Sequence, residues 1–282
     1  MNGYAIKSRH AITKIIYGDA SADGFGGYIV QKLGNIISRG TFTPEERSQS
    51  STYRELAAVK YLIQSFSDLL QHQIILWHSD NVNTTKIIQV GSSKNHLQSL
   101  ALDIFKLCLK YDIQIISKWI PRDENTVADA ISKYYDSDDW GIDFETFAYL
   151  QNKFGNLTID RFASSSNKKL ERFDARFHCP GVENVNTFTS HWGNEFNYLC
   201  PPISLIGDTL KHAKLCKASG ILIVPEWQSS YFWPLLTPNG KFFYPFVEDY
   251  AVLDPYFLSD CKKTSVFSGF TNFRTLTLLI RF

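Results

Sequence analysis

Residues 12–43, ITKIIYGDASADGFGGYIVQKLGNIISRGTFT, decide how the chain begins to fold. The β-branched run ITKIIY ends in the small residues of GDAS, and GGYIVQKL and NIISRGTFT read as two further strands joined by a tight turn at Gly34 and Asn35. Three consecutive strands with short connections predict an antiparallel opening. Gly24, Gly26 and Gly27 lie between two strands and do not open a helix, so they mark a hairpin rather than a loop that cradles phosphate.

From Ser51 the period changes. Leu56, Val59, Ile63 and Phe66 recur at helical spacing, with Ser51 or Thr52 placed to cap a helix over about 52–68. The strand QIILWHSD follows, then a helical face of Leu97, Leu100, Ala101, Ile104 and Cys108, the strand DIQIISKWI, and a short helix from Asn125 to Lys133. The order βββαβαβα predicts a mixed five-stranded sheet with helices packed against it, occupying residues 1–136.

A chain of 282 residues exceeds the usual size of one domain. The charged stretch DSDDWGID at 136–143 reads as the connection to a second unit, where strand-like LTIDRFA, FNYLCPP and GILIVPEW alternate with helical FETFAYLQNKF and ISLIGDTLKHAKLC. The expectation is a smaller α/β domain over 137–259, with 260–282 a tail of unassigned role.

Composition narrows the function classes. Apolar residues at 44% and charged residues at 20% suit two packed cores and argue against disorder. The cysteines, Cys108, Cys179, Cys200, Cys216 and Cys261, show no metal-ligand spacing, and an odd count argues against a disulfide framework, which points to a reducing, intracellular setting. MNGYAIKSRH lacks a leader pattern and no run approaches the ~20 apolar residues of a membrane span, so no membrane partner is expected. A net charge of +1 supplies little of the field that drives non-specific nucleic-acid binding, so such a partner would be held locally or by a neighbouring domain.

Four acidic residues fall at telling places: Asp19 at the end of the first strand, Glu55 in the first helix, Asp80 after the fourth strand, and Asp129 in the helix after the fifth. In a mixed sheet, adjacent strand ends and the helix over them can meet, and a cluster of carboxylate oxygens suits hard divalent cations. Two Mg²⁺ ions, with Mn²⁺ as a substitute, fit such a set; a pair about 3.5–4 Å apart activates water and stabilises the leaving oxygen in displacement at phosphorus. His78 reads as a strand residue rather than a ligand.

The segments YGDASADGFGG, SSTYRELAAV, SDNVNTT and WIPRDENTVADAISK, in this order and spacing over about 12–136, resemble the type 1 ribonuclease H of retroelements, most closely that of DIRS-type tyrosine-recombinase retrotransposons. The resemblance implies a ribonuclease H-like fold, cleavage of the RNA strand of RNA/DNA hybrids, and Asp19, Glu55, Asp80 and Asp129 as metal ligands. It further implies that Ser21, Asn81 and Asn83 line the nucleic-acid groove, where the 2′-hydroxyl marks RNA, and that a reverse transcriptase of the parent element is a partner. Many cellular relatives carry a histidine before the fourth acid. WIPRDEN has none, which leaves Arg122 to contact phosphate.

Residues from about 144 to 238 resemble the phage-type Dam N6-adenine methyltransferase that accompanies ribonuclease H in these elements. Active members place Asp or Asn before two prolines and an aromatic after them, whereas here the tetrapeptide is Cys200, Pro201, Pro202, Ile203. Cysteine is a poor acceptor and isoleucine has no π face, so this domain reads as degenerate, with Asp160 the relic of a methyl-donor site. Trp192, Trp227, Tyr231, Phe232 and Trp233 read as core rather than as base-stacking surface. Three functions compete: a metal-dependent hybrid ribonuclease, a catalytically idle binding module, and, ranked last, a methyltransferase.

Overall fold

In a computed structural model, which describes residues 11–134, 139–253 and 273–282, the opening segment folds as an antiparallel meander of β1 (Lys14–Ala20), β2 (Gly24–Ile29) and β3 (Ile36–Thr41). The glycines differ from the hairpin reading, because Gly24, Gly26 and Gly27 lie inside β2. Their lack of side chain is used for close packing on both faces. A Cβ at Gly26 would fall 2.4 Å from the backbone nitrogen of Ser132, and one at Gly27 would fall 2.6 Å from the Leu62 side chain.

Three helices follow: α1 (Pro44–Arg47), α2 (Ser51–Ser65) and α3 (Ser67–Leu70). Thr43 and Glu46 cap α1 reciprocally, and Ser50, one residue before the predicted cap, accepts the Tyr53 N–H at 3.3 Å to start α2. The stripe Leu56, Val59, Leu62 and Ile63 is fully buried, each side chain stabilising the fold by roughly 1.5–3 kcal/mol. Next come β4 (Ile74–Ser79), α4 (Val82–Val90), α5 (Asn95–Tyr111), β5 (Gln114–Trp119) and α6 (Thr126–Lys133). The sheet order is β3-β2-β1-β4-β5, with β4 parallel to β1 and β5 parallel to β4. This is the predicted mixed five-stranded sheet with helices.

The chain divides after Tyr134 into two compact units, with His178–Pro180 grouped with the first. There the His178 carbonyl accepts the Arg39 N–H at 3.2 Å, extending the pairing of β3. The predicted boundary at 136/137 lies outside the described residues.

The second unit opens with α7 (Phe144–Phe154), at the predicted residues, capped by Asp143. Then follow β6 (Ile159–Ala163), β7 (Phe173–Ala175), β8 (Asn184–Val185), β9 (Phe196–Leu199), α8 (Ile206–Cys216), β10 (Ser219–Pro225), α9 (Trp233–Leu236), β11 (Val247–Leu253) and β12 (Thr275–Arg281). Two expectations are corrected. The second unit is not the smaller one, since its sheet has seven strands among the described residues against five in the first, and residues 273–282 are not a tail, because β12 inserts antiparallel between β10 and β11. The rest of the presumed tail, 260–272, lies outside the described residues. An alternating apolar segment at a chain end gives no hint of its partner, and β12 is only completed by strands far back in sequence.

Counted within the unit, the strand order is 3-2-1-4-5-7-6, the doubly wound α/β order with a final antiparallel strand inserted. Both faces of β10 are buried: Ile221 and Ile223 pack with Phe147 and Leu150 of α7, and Leu222 and Val224 with Leu210 and Ala213 of α8. The connections 164–172 and 176–183 carry no helix, although parallel strands are usually joined by one. Trp140 and Ile142, read as connection, are core residues of this unit. No helix among the described residues is long and apolar enough to cross a membrane.

Candidate active site

Three of the four predicted acids meet. Asp19 stands near the end of β1, Glu55 projects from α2, and Asp80 follows β4, with one carboxylate oxygen of each lying within 4.8 Å of the others. Asp19 and Glu55 are buried and Asp80 is partly exposed. Burial pushes the Asp19 carboxyl above its ordinary range, helped by repulsion from Asp80 and Asp129 and opposed by a hydrogen bond from Ser132. Glu55 is pushed up well above the usual range by burial and by the charges of Asp19 and Asp80, with partial relief from a backbone hydrogen bond at Ala20. The cluster therefore resists its own ionisation. A divalent cation would relieve that cost, and an all-oxygen donor set whose atoms can close to the roughly 4 Å that separates opposite ligands of Mg²⁺ fits a hard ion.

Asp129 departs from the expectation of a four-way convergence. Its two carboxylate oxygens accept from the Lys133 ammonium at 2.6 and 2.7 Å, and Arg122 approaches one of them at 3.4 Å. These cations hold the Asp129 carboxyl below its ordinary range, Lys133 foremost. The cause is local: Lys133 lies one helical turn beyond Asp129, on the same face of α6. Asp129 still acts on Asp19 through its charge.

The expected nucleic-acid contacts divide in two. The Ser21 hydroxyl is engaged within the chain, facing the carbonyls of Ser132 at 2.8 Å and Gly24 at 3.0 Å and accepting the Gly24 N–H, so it ties the β1–β2 turn to α6. The Asn81 side chain accepts the Thr84 N–H at 3.0 Å as the cap of α4. Asn83, in the first turn of α4, and Arg122, whose side chain is 77% exposed, face solvent. His78 is buried against Tyr17, with ring centroids 4.5 Å apart, and its pKa is lowered by burial and by Lys118, as suits a strand residue.

Three supporting residues went unread in the sequence. The Ser132 hydroxyl donates to Asp19 Oδ2 at 2.7 Å, Asn125 Nδ2 reaches the Gly18 carbonyl at 3.3 Å, and the Trp119 indole donates to the Asp80 carbonyl at 3.0 Å. The available signal was position. Trp119 and Asn125 bound the WIPRDEN segment, and Ser132 lies three residues after Asp129, hence on the same helix face.

The second unit's corresponding place is the crevice beyond β6 and β9, where the strand order reverses and doubly wound folds take ligands. Here the Trp140 indole donates to the Pro201 carbonyl at 2.8 Å, and Cys200 is buried with its thiol 3.8 Å from the Trp140 carbonyl. Asp160 accepts the N–H groups of Phe162 at 3.3 Å and Lys169 at 3.0 Å, closing the loop after β6. Trp192, Phe232 and Trp233 are buried, whereas Tyr231 is exposed with its hydroxyl on the carbonyls of Ile203 and Ser204.

No family model and no curated protein matches the chain. Among solved structures, it is similar to ribonuclease H1 of Halobacterium salinarum NRC-1, with 17% identity over 42% of this chain and 92% of that one and a TM-score of 0.35. It is also similar to LC11-RNase H1, isolated from compost and crystallised with an RNA/DNA hybrid, with 20% identity over 42% of this chain and 93% of that one and a TM-score of 0.35. A third similar structure is the foamy viral protease-reverse transcriptase in complex with an RNA/DNA hybrid: 14% identity, 46% of this chain, 21% of that chain, TM-score 0.34.

Proposed function

We propose that the first unit is a metal-dependent endonuclease of the retroelement ribonuclease H type that hydrolyses the RNA strand of RNA/DNA hybrids. The observation that carries this reading is the meeting of Asp19, Glu55 and Asp80 from β1, α2 and the end of β4. These residues would hold Mg²⁺ or Mn²⁺, with Asp129 as the fourth ligand of a two-ion site. Bound there, the ions would supply an activated water and stabilise the departing oxygen.

The protein's own part is positioning. Ser132 donates to the Asp19 carboxylate and Trp119 to the backbone carbonyl of Asp80, so each acid is tied to a neighbouring element. Exposed Asn83 and Arg122 would contact sugar and phosphate. With a net charge of +1 the chain has little general grip on a polyanion, so a reverse transcriptase of the parent element would hold the substrate.

In the same reading the second unit is a methyltransferase-like domain without methyl transfer. Its strand order supports the origin, and the Trp140 indole on the Pro201 carbonyl, with Cys200 and Ile203 in the tetrapeptide, supports the loss.

The test is an end-labelled RNA/DNA hybrid incubated with the full chain and with Asp19→Asn, in Mg²⁺ and in Mn²⁺. Cleavage of the RNA strand by the parent alone, leaving 3′-hydroxyl ends, is expected. A folded parent that cleaves in neither metal would instead favour an idle binding module.

A further inference from the structure

A carboxylate facing two others at short range is pushed to rotate away from them, and something must oppose that rotation if the cluster is to stay assembled. At Asp19 the opposing groups come from α6. The Ser132 hydroxyl donates to Asp19 Oδ2 at 2.7 Å, and Asn125 Nδ2, at the other end of the helix, lies 3.5 Å from Oδ1. Ser132 is 5% exposed and Asn125 1%, so water does not compete for these contacts. The Ser132 hydroxyl also lies 2.9 Å from the Asp129 carbonyl, but its single proton is better placed on the charged acceptor.

The distance between α6 and β1 is set by the sheet. Asp19 pairs with Gly26 across the β1–β2 ladder, and a Cβ at Gly26 would fall 2.4 Å from the Ser132 nitrogen and 2.6 Å from the Ile131 carbonyl carbon. Any other residue there would lift the helix end. The Ser132 carbonyl is also fixed, accepting from the Ser21 hydroxyl at 2.8 Å. The serine is thus held from two sides with its hydroxyl on the carboxylate.

We infer that Ser132 is a positioning residue for metal binding: it locks the Asp19 carboxylate in the orientation that faces Glu55 and Asp80, with Gly26 as the spacer that lets it reach. This rests on the metal-site reading above and assigns it a further determinant. Metal affinity, rather than the chemical step, should respond, because partners of metal ligands act by holding the ligand ready.

The experiment is a calorimetric titration of the full chain with Mn²⁺, without substrate, beside hybrid cleavage at rising Mg²⁺. Ser132→Ala should weaken Mn²⁺ binding by roughly 10–100-fold, the range for such partners, and raise the half-saturating Mg²⁺ to match, while the rate at saturating Mg²⁺ stays within about threefold. Ser132→Thr, which keeps the hydroxyl, should restore binding to within about threefold. Where Ser132→Ala does not fold, the near-isosteric, weakly donating Ser132→Cys carries the same expectation. Folded alanine or cysteine variants with the parent's Mn²⁺ affinity would overturn the assignment and leave the metal site standing. A parent that binds no Mn²⁺ would overturn both.

Discussion

Asp19 and Asp160 are both buried aspartates on strands inside their own sheets, and their surroundings give them opposite uses. Asp160 spends its carboxylate on two N–H groups of its own loop, Phe162 and Lys169. Asp19 is held by donors from α6 while it faces two other acids. The difference teaches that burial of an acid does not mark a site by itself. What matters is whether the chain already supplies the groups that satisfy it, or assembles like charges whose repulsion calls for a cation.

The sharpest way to break this comparison is at the cluster. Asp19→Asn, Glu55→Gln and Asp80→Asn should each lower hybrid cleavage by more than about a hundredfold, beyond the range for partners that merely support ligands. Asp129→Asn should cost less, on the order of tenfold, because Asp129 stands outside the three-acid cluster and would have to leave Lys133 to serve as the fourth ligand. Equal losses at all four positions would show that Asp129 is an equal member of the set. Rates at saturating Mg²⁺ decide.

Next in size is the Trp140–Pro201 contact of the second unit. Trp140→Phe keeps the ring and removes the indole donor to Pro201, leaving a buried carbonyl without that partner, which should destabilise the unit by about 1–3 kcal/mol in chemical denaturation. Neither parent nor variant should give heat with S-adenosylmethionine. Binding by the parent would refute the reading of this unit as a retired enzyme.

Smaller, and signed, is a pH effect. Burial pushes the Asp160 carboxyl up from 3.8 to about 7. The folded value lies above the unfolded one, so the folded state keeps a proton that the unfolded state gives up. Stability contributed by this group therefore falls as pH rises from about 4 to about 7. Asp160→Asn should gain stability relative to the parent across that window in thermal melts, and a constant difference would contradict the assignment. Smallest is Lys133→Met: its ion pair with Asp129 is partly exposed, with side-chain accessibilities of 53% and 25%, so stability should change by less than about 1 kcal/mol.

Periodicity and motif spacing made much of this legible. The five strands of the first sheet and α7 at 144–154 follow from alternation and helical stripes that need no tertiary information. The helix α4 did not show, because VNTTKIIQV is rich in β-branched residues and begins only through its Asn81 cap. The carboxylates were legible as a set, but the diversion of Asp129 to Lys133 depends on side-chain reach across one turn of α6. The roles of Gly26, Ser132 and Trp140 depend on close approaches between segments distant in sequence. A glycine inside a strand announces such an approach without saying what arrives.

The most direct test of the central contrast is single-turnover cleavage of an RNA/DNA hybrid in Mg²⁺ by Asp19→Asn and Asp160→Asn side by side, each in the full chain. Cleavage retained by Asp160→Asn and lost by Asp19→Asn is the result expected when the three-carboxylate cluster of the first unit is the working site. Cleavage retained by Asp19→Asn would contradict it.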